Sequence, residues 1–546
     1  MIVCAVSVVS LVAVGLLDAS ASGVAGPTTL AAGASDATPS VSATSTSRPP
    51  ASVAPPAALV ATPLVPVVSF WSASETVGRA DILGLWMGSA AATSRTGYKT
   101  LAVSDAYADA LGLAFEIAPS ASVHRLTTDQ VKTAVESSST VLGLIPAQDV
   151  SIDVRALAVD GISLFTSDRV RTVARWPLDV LAPSPAPAAA ASPAASGVAS
   201  QTNFDPSGVW TLAAGGDVNL ARAVYVQAVT KKLGPDYPWS AGYAVIRGRA
   251  CCGYNNAPLV NVKATGQGGI LRSRLSDADI ALVNLEGSAP NNHVNDRDSL
   301  NFTFDPALLV GLKDAGIDAV TLANNHIKNG GAQGVIETIQ HLDAINLAHT
   351  GAGANTTAAR QPVWLTAAGR KIAVLGYSAV GSGNWATATK PGAAPLHLAD
   401  VTADIHAAKA AGADIVIVMP HWGEEYTYLL NATQKGDAAA FVAAGADLVI
   451  GSHSHWVGGI ETLDGVNGPA FIDYSLGDFL FNLNHDVQAQ EGVLVTLTFS
   501  GSKLVQVNLE PTAMIQGSRV GLLNPSTDGK AVLDAIRAAS RRLPGW

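Results

Sequence analysis

Two apolar periods run along the chain, and the places where one gives way to the other predict its elements. From Val209 onward a unit repeats: a polar or glycine-rich break, a helix-period segment, then a short β-branched run that ends abruptly in polar residues. That alternation is the mark of an α/β architecture. Asp305-Pro306 opens one helix with an N-cap acid and an N1 proline, Leu308, Leu309 and Leu312 form its apolar face, and Gly316 closes it before a strand at Asp318–Ala323. The same grammar takes a helix at Asp404–Gly412 into a strand at Ile415–Met419, and one at Thr433–Gly445 into Leu448–Ile450. Val493–Phe499 and Leu504–Leu509 flank Ser500-Gly501-Ser502-Lys503 and predict a β-hairpin. Residues 516–546 are expected to form a tail whose helix, at 526–542, carries Arg537, Arg541 and Arg542 near its end.

Ahead of this region the patterning is interrupted twice. Residues 22–66 are dominated by Ala, Ser, Thr, Pro and Val with hardly any charge and no lasting period, which predicts a disordered tether. Residues 181–204 repeat that composition, with Pro183, Pro185, Pro187 and Pro193, and predict a second linker. Between them, 67–180 reads as a small α/β domain, with Tyr107, Ala110, Leu111 and Leu113 near a helical face and apolar runs at Val141–Ile145 and Ile162–Phe165. Its stretch from Leu142-Gly143-Leu144-Ile145-Pro146 through Val159-Asp160-Gly161 is faintly similar to a lobe of a solute-binding protein. The largest domain is then expected over 205–515.

Composition narrows the function classes. Charged residues make up only 14% of the 546, and the formal net charge is −10, which argues against non-specific nucleic-acid binding because that needs clustered Lys and Arg. No apolar run in the body reaches the roughly 20 residues that span a bilayer. Ile2–Leu17 is apolar and is followed by Ala19-Ser20-Ala21, so 1–21 reads as a secretory signal, although no basic residue precedes the apolar run and the first is Arg48. The expectation is a secreted or cell-surface protein. Of the cysteines, Cys251 and Cys252 are adjacent, which allows a vicinal disulfide or a free pair.

The metal-capable side chains fall one to three residues past predicted strand ends, where open α/β sheets line their ligand crevice. Trp210–Ala214 leads to Gly215-Gly216-Asp217, Ile280–Asn284 to Leu285-Glu286, and Val320–Ala323 to Asn324-Asn325-His326. Val416–Met419 leads to Pro420-His421, and Leu448–Ile450 to Gly451-Ser452-His453-Ser454-His455. Singly these are weak: Asp217 could cap a helix, Glu286 could be a loop charge, Asn324-Asn325 could be turn chemistry. The His453/His455 pair is stronger, since alternate residues of an extended segment point the same way. Together, oxygen ligands and imidazoles suit borderline divalent metals such as Mn, Fe or Zn, and the set exceeds what one ion needs. It fits two ions acting on a phosphoryl-type displacement.

Six motifs, in order, carry a resemblance. Gly216-Asp217-Val218-Asn219-Leu220-Ala221-Arg222, Asn284-Leu285-Glu286, Ala323-Asn324-Asn325-His326, His421-Trp422-Gly423-Glu424-Glu425-Tyr426, Gly451-Ser452-His453-Ser454-His455-Trp456-Val457 and Tyr474-Ser475-Leu476-Gly477-Asp478-Phe479 are similar to the motifs of the CapA, or poly-γ-glutamate capsule synthesis, family. That family looks like a branch of the calcineurin-like metallophosphoesterases. The resemblance implies a fold of β-sheets flanked by helices over 205–515. It also implies a first metal on Asp217 and His455, Glu286 bridging, and a second metal on Asn325, His421 and His453. His326 resembles the histidine that protonates a leaving oxygen, and Arg222 is expected to hold an anionic group of the substrate. Asn219, Glu425, Tyr426 and Asp478 are expected to orient the ligands, while Trp422 and Tyr474 pack behind them.

The chain departs from the pattern at three places. Asn219 stands where the superfamily offers a second imidazole, Lys328-Asn329-Gly330 replaces an Asp and an aromatic residue, and Asp478 replaces an Asn. The function so implied is capsule polymer synthesis or export on an anionic polymer or phosphoester substrate, alongside membrane-bound capsule machinery. A secreted phosphoesterase or phosphodiesterase and a non-catalytic polymer-binding protein are the alternatives. The chain has no Gly-x-x-x-x-Gly-Lys-Ser/Thr loop to bring ATP into that work.

Overall fold

The computed structural model describes residues 59–183, 202–297, 299–541 and 543. The expected signal at 1–21, the tether up to residue 58 and the linker at 184–201 lie outside the described residues.

In the N-terminal lobe, β1 (Leu59–Ser69), β2 (Thr100–Ser104), β3 (Val123–Leu126), β4 (Val141–Pro146), β5 (Val154–Ala156) and β6 (Asp179–Pro183) form one sheet in the order β3-β2-β4-β1-β5, with β6 also paired to β1. The tether expected over 22–66 does not cover 59–66, because these residues belong to the strand through the middle of this sheet. Leu64, Val65 and Val67 are fully buried there. A charge-free Leu/Val/Ala/Pro stretch has the composition of a linker and of a strand buried on both faces alike, and only its neighbours separate the two. For the same reason 181–183 are strand, and Phe204 is buried in the lobe's core. The helix at Asp105–Phe115 buries Tyr107 and Leu111 but leaves Leu113 80% exposed, and Ile162–Phe165 forms no strand.

The remaining chain builds two facing sheets. The first contains β7 (Val209–Val218), β8 (Tyr243–Ala250), β9 (Leu259–Thr265), β10 (Ile280–Leu285), β11 (Ala319–Thr321) and β12 (Ala348–Thr350). The second contains β13 (Val363–Ala367), β14 (Arg370–Ser378), β15 (Ile415–His421), β16 (Leu448–Ile450), β17 (Ile460–Gly465) and β18 (Gly468–Asp473) in the order β13-β14-β15-β16-β18-β17. The chain then returns to the first sheet with β19 (Asp478–Leu480), β20 (Glu491–Ser500), β21 (Lys503–Ile515) and β22 (Arg519–Leu523), completing the order β9-β8-β22-β21-β20-β7-β10-β11-β12, with β19 beside β7. β20 and β21 are the expected hairpin. The expected tail from 516 instead begins with a strand, and its helix is Lys530–Ser540.

Between the sheets, Leu212, Ala214, Leu282 and Ala319 meet Ile372, Ile415, Ile417 and Leu448 in one core. The alternate residues of β15, Val416 and Val418, face outward onto Val401, Ile405 and Phe441 of the helices Leu398–Ala410 and Ala432–Ala444. Both faces of the strands are thus covered, as parallel pairing requires. The second helix is fixed by a capping box between Asn431 and Gln434 and ends at Gly445 in the left-handed region (φ 111°). The mixed α/β fold of sheets flanked by helices is the one expected. Among the described residues, no helix is long and apolar enough to cross a membrane.

Candidate metal centre

β7, β10 and β11 are mutually parallel in one sheet, and β14, β15, β16 and β18 in the other. Their carboxyl ends come together at one rim, and the candidate ligands meet there. Asp217 lies inside β7 rather than past its end, one residue after Gly216, where a Cβ would stand 1.9 Å from the Gly477 carbonyl oxygen. Only glycine lets β7 approach the loop before β19 so closely.

Ligand atoms of Asp217, Glu286 and His421 all lie within 4.8 Å of one another, and so do those of Asp217, His455 and Asp478. Asp217 is common to the two groups. It is fully buried, accepts from Asn284 Nδ2 at 2.6 Å and from the His453 amide at 3.1 Å, and stands 4.0 Å from His455 Nδ1. Asn325 Oδ1 meets His421 Nε2 at 2.8 Å, while His421 Nδ1 is 2.9 Å from Ser452 Oγ. His453 belongs to neither group; its ring centre is 4.7 Å from that of His421, and its buried Nδ1 has no hydrogen-bond partner. His453 (φ 95°) and His455 (φ 59°) both sit in the left-handed region, so they are not brought together by the extended alternation the sequence suggested. A strained turn between β16 and β17 presents them, and such strain is held only by the surrounding structure.

Charge is concentrated and dry. Both oxygens of Glu286 are buried without a hydrogen-bond partner. Burial first, then the Asp217 carboxylate, raises Glu286 well above the ordinary carboxylate range. Asp217 is raised by burial as well. Burial pushes His326 down to about 4 and His453 down to about 3, and holds His421 well below its usual value with His453 adding to the effect. Burial also works against a charge on His455, but Asp478 at 2.9 Å, with Glu286 and Asp217, outweighs it and pushes that imidazole up to about 10. Burial lifts Asp478 to about 7. Neutral imidazoles and crowded carboxylates, with orphaned acceptor atoms facing inward, are a donor set that a divalent cation satisfies.

The remaining expected residues divide by what they touch. His326 Nε2 is 3.8 Å from Glu286 Oε1, and its Nδ1 is 2.9 Å from Asn329 Oδ1. Asn219 donates to the Glu286 carbonyl at 2.9 Å, so it shapes the site through the backbone. Tyr426 is stacked 5.5 Å from the His455 ring, whereas Glu425 is exposed. Trp422 and Tyr474 are buried and stacked 5.8 Å apart. Asp478, expected only to orient, stands among the candidate ligands. Arg222, expected to hold substrate, is buried with Nη1 on the Asn482 carbonyl, Nη2 on the Ser299 carbonyl and its guanidinium 4.8 Å over Phe302, so it braces two loops. Sequence reasoning assigned no role to Asn284 or Ser452, whose side chains hold Asp217 and His421. Both sit within the quoted motifs, and for Asn284 the period of two along β10 was the available signal.

Residues 211–483 match the family model described as bacterial capsule synthesis protein PGA_cap. The capsule biosynthesis protein CapA of Bacillus anthracis is 35% identical over 175 residues, 31% of this chain and 42% of that protein. A probable polyglutamine synthesis accessory protein of Mycobacterium tuberculosis is 30% identical over 288 residues, 48% of this chain and 73% of that one. The chain thus spans under half the length of the two CapA proteins it matches, from B. anthracis (42%) and Bacillus subtilis (44%). Among solved structures, the calcineurin-like phosphoesterase YfkN of B. subtilis aligns with 60% of this chain and 99% of its own at 15% identity and a TM-score of 0.31. With half of its residues under the family model, the chain belongs to the PGA_cap family of bacterial capsule synthesis proteins.

Proposed function

We propose that the protein acts outside the cytoplasm in the synthesis or export of poly-γ-glutamate or a related anionic capsule polymer, through a site that holds two divalent ions. The observation that carries this reading is Glu286, fully buried with both oxygens unpartnered beside the equally buried Asp217. Two like charges without solvent are kept together where a cation joins them. Asp217, Glu286, Asn325, His421, His453 and His455 would hold Mn, Fe or Zn. Bound there, the ions supply Lewis acidity and charge neutralisation for a displacement at a phosphoester or similar centre.

The chain's own contribution is placement and proton control. Asn329 Oδ1 already accepts from the Phe302 amide at 2.8 Å, so the hydrogen it shares with His326 is the imidazole's Nδ1–H. Nε2 is thereby left to take a proton from, or return one to, a group at the metal rim. That placement favours a second reading, a metal-dependent phosphoesterase, in which the capsule connection comes through relatedness alone. Membrane-bound capsule machinery is the proposed partner in the first reading.

The test is metal analysis of the purified protein, with turnover of p-nitrophenyl phosphate and bis-p-nitrophenyl phosphate before and after His421→Ala. Two tightly held transition-metal ions, reduced in the variant, support the site. Turnover lost in the variant supports the phosphoesterase reading, and full occupancy without turnover supports the polymer reading. A wild-type protein without bound metal after growth in metal-replete medium sinks both.

A further inference from the structure

A cavity of about 240 Å³ that shares no residue with the metal centre lies where the N-terminal lobe meets the first sheet. Arg155, Ser163 and Thr166 wall it from the lobe, and Arg274, Gln506 and Asn508 from the other side. Arg155, on β5, is only 7% exposed, yet no carboxylate among the described residues comes within 4.0 Å of it. Among the described residues, its side chain makes one hydrogen bond, from Nη1 to the Ser72 carbonyl at 2.6 Å. Burial acts against its charge, and Glu75 and Glu510 attract it only from a distance. Glu510 is itself paired with Arg274 at 2.9 Å, and Glu75 and Asp168 at the cavity's edge are exposed to solvent. The wall therefore carries a buried guanidinium that no carboxylate pairs directly, which is costly unless something anionic meets it.

The neighbouring polar groups are set as donors. Ser163 Oγ accepts from the Phe165 and Thr166 amides at 3.0 and 3.2 Å, so its hydroxyl hydrogen is free to point elsewhere. Gln506 Oε1 accepts from the Ala156 amide at 2.8 Å, which leaves its Nε2 hydrogens unused. One acceptor is orphaned: Asn508 Oδ1 is buried without a partner.

We infer that this cavity binds a small oxyanion that carries a hydrogen of its own, as phosphate does near neutral pH. The guanidinium, Ser163 and Gln506 donate to its oxygens, and its hydroxyl donates to Asn508 Oδ1. Because Arg155 and Ser163 belong to the lobe while Gln506 and Asn508 lie on β21, the bound anion ties the two together. A free phosphate keeps that hydrogen at neutral pH, whereas the phosphoryl group of a small monoester, with a second pKa of about 6, keeps it only below that pH; a bare carboxylate or sulfate lacks it.

Isothermal titration of the full, metal-loaded chain with inorganic phosphate, sulfate, acetate and glycerol phosphate, at fixed pH and ionic strength, tests this. Phosphate is expected to bind saturably and at least tenfold more tightly than sulfate or acetate, and glycerol phosphate shows whether the site admits a monoester. Arg155→Met, which keeps the length of the side chain without its charge, should weaken phosphate at least tenfold. Asn508→Leu should bring phosphate to the level of sulfate, and it carries the test should the Arg155 variant fail to fold. The phosphate isotherm should survive His421→Ala, which alters only the metal centre. No saturable phosphate binding, equal binding by Arg155→Met and Asn508→Leu, or binding that disappears with His421→Ala would each overturn the inference.

Discussion

Replacing Glu286 by glutamine should stabilise the metal-free protein and destabilise the metal-loaded one. In the wild type the carboxyl is fully buried, neither oxygen has a hydrogen-bond partner, and Asp217 is close by. Leaving one buried polar group unsatisfied costs about 1–3 kcal/mol, and more when it is charged. Glutamine keeps the shape and removes the charge, so a gain of about 2 kcal/mol is expected above neutral pH. For a chain of this size that corresponds to roughly 2 °C in melting temperature. The sign follows from the direction of the pKa shift. The folded chain raises this carboxyl well above its usual 4.5, so below that value it is neutral in both folded and unfolded chains and imposes no penalty. Stability is then lost as pH climbs through the raised folded value. The advantage of Glu286→Gln should therefore be near zero at pH 4.5 and largest at pH 8 or above.

Loaded with metal the order reverses. An ion present at a thousand times its Kd contributes about 4 kcal/mol, which the variant forfeits in proportion to its lost affinity. Thermal melts of chelator-treated and Mn- or Zn-loaded protein across that pH range read both effects. A metal-free variant less stable than wild type at every pH would refute the claim that Glu286 is an electrostatic liability kept for a cation.

Two further outcomes test neighbouring parts of the site. Asp478→Asn removes the strongest influence raising His455, so in the metal-free protein that imidazole, charged up to about pH 10 in the wild type, should lose its proton at a markedly lower pH. Histidine ring NMR at pH 8 distinguishes the two states, and an unchanged His455 would show that Asp478 is not its partner. Gly216→Ala places a methyl group 1.9 Å from the Gly477 carbonyl oxygen, and since backbone cannot yield as a side chain does, a loss of about 3 kcal/mol or more is expected in chemical denaturation. Wild-type stability in that variant would mean the two strands are further apart than described.

Local signals made much of the large domain legible. Asp305-Pro306 and Gly445 mark helix ends through hydrogen bonds made within a few residues, and the strand Leu448–Ile450 was bounded correctly from its apolar run alone. That oxygen- and imidazole-bearing residues come near one rim was legible too, because residues at the ends of parallel strands meet there by topology. What stayed hidden depends on partners distant in sequence. Residues 59–66 look like a tether until the strands ending near 146, 156 and 183 pair with them. β22 at Arg519–Leu523 exists because β21 and β8 flank it.

The same division runs through the chemistry. Residue types and their order along the chain determined that oxygen and imidazole donors gather at strand ends, since side-chain chemistry and strand period are local properties. Only the tertiary structure decided that Asp478 joins Asp217 and His455 while Arg222 braces two loops. It likewise decided that His453 and His455 are presented from left-handed backbone, and that Arg155 is buried with no carboxylate among the described residues paired directly to it. Burial and charge pairing are set by whatever the fold brings within a few ångströms, and that neighbourhood is not written in any single segment.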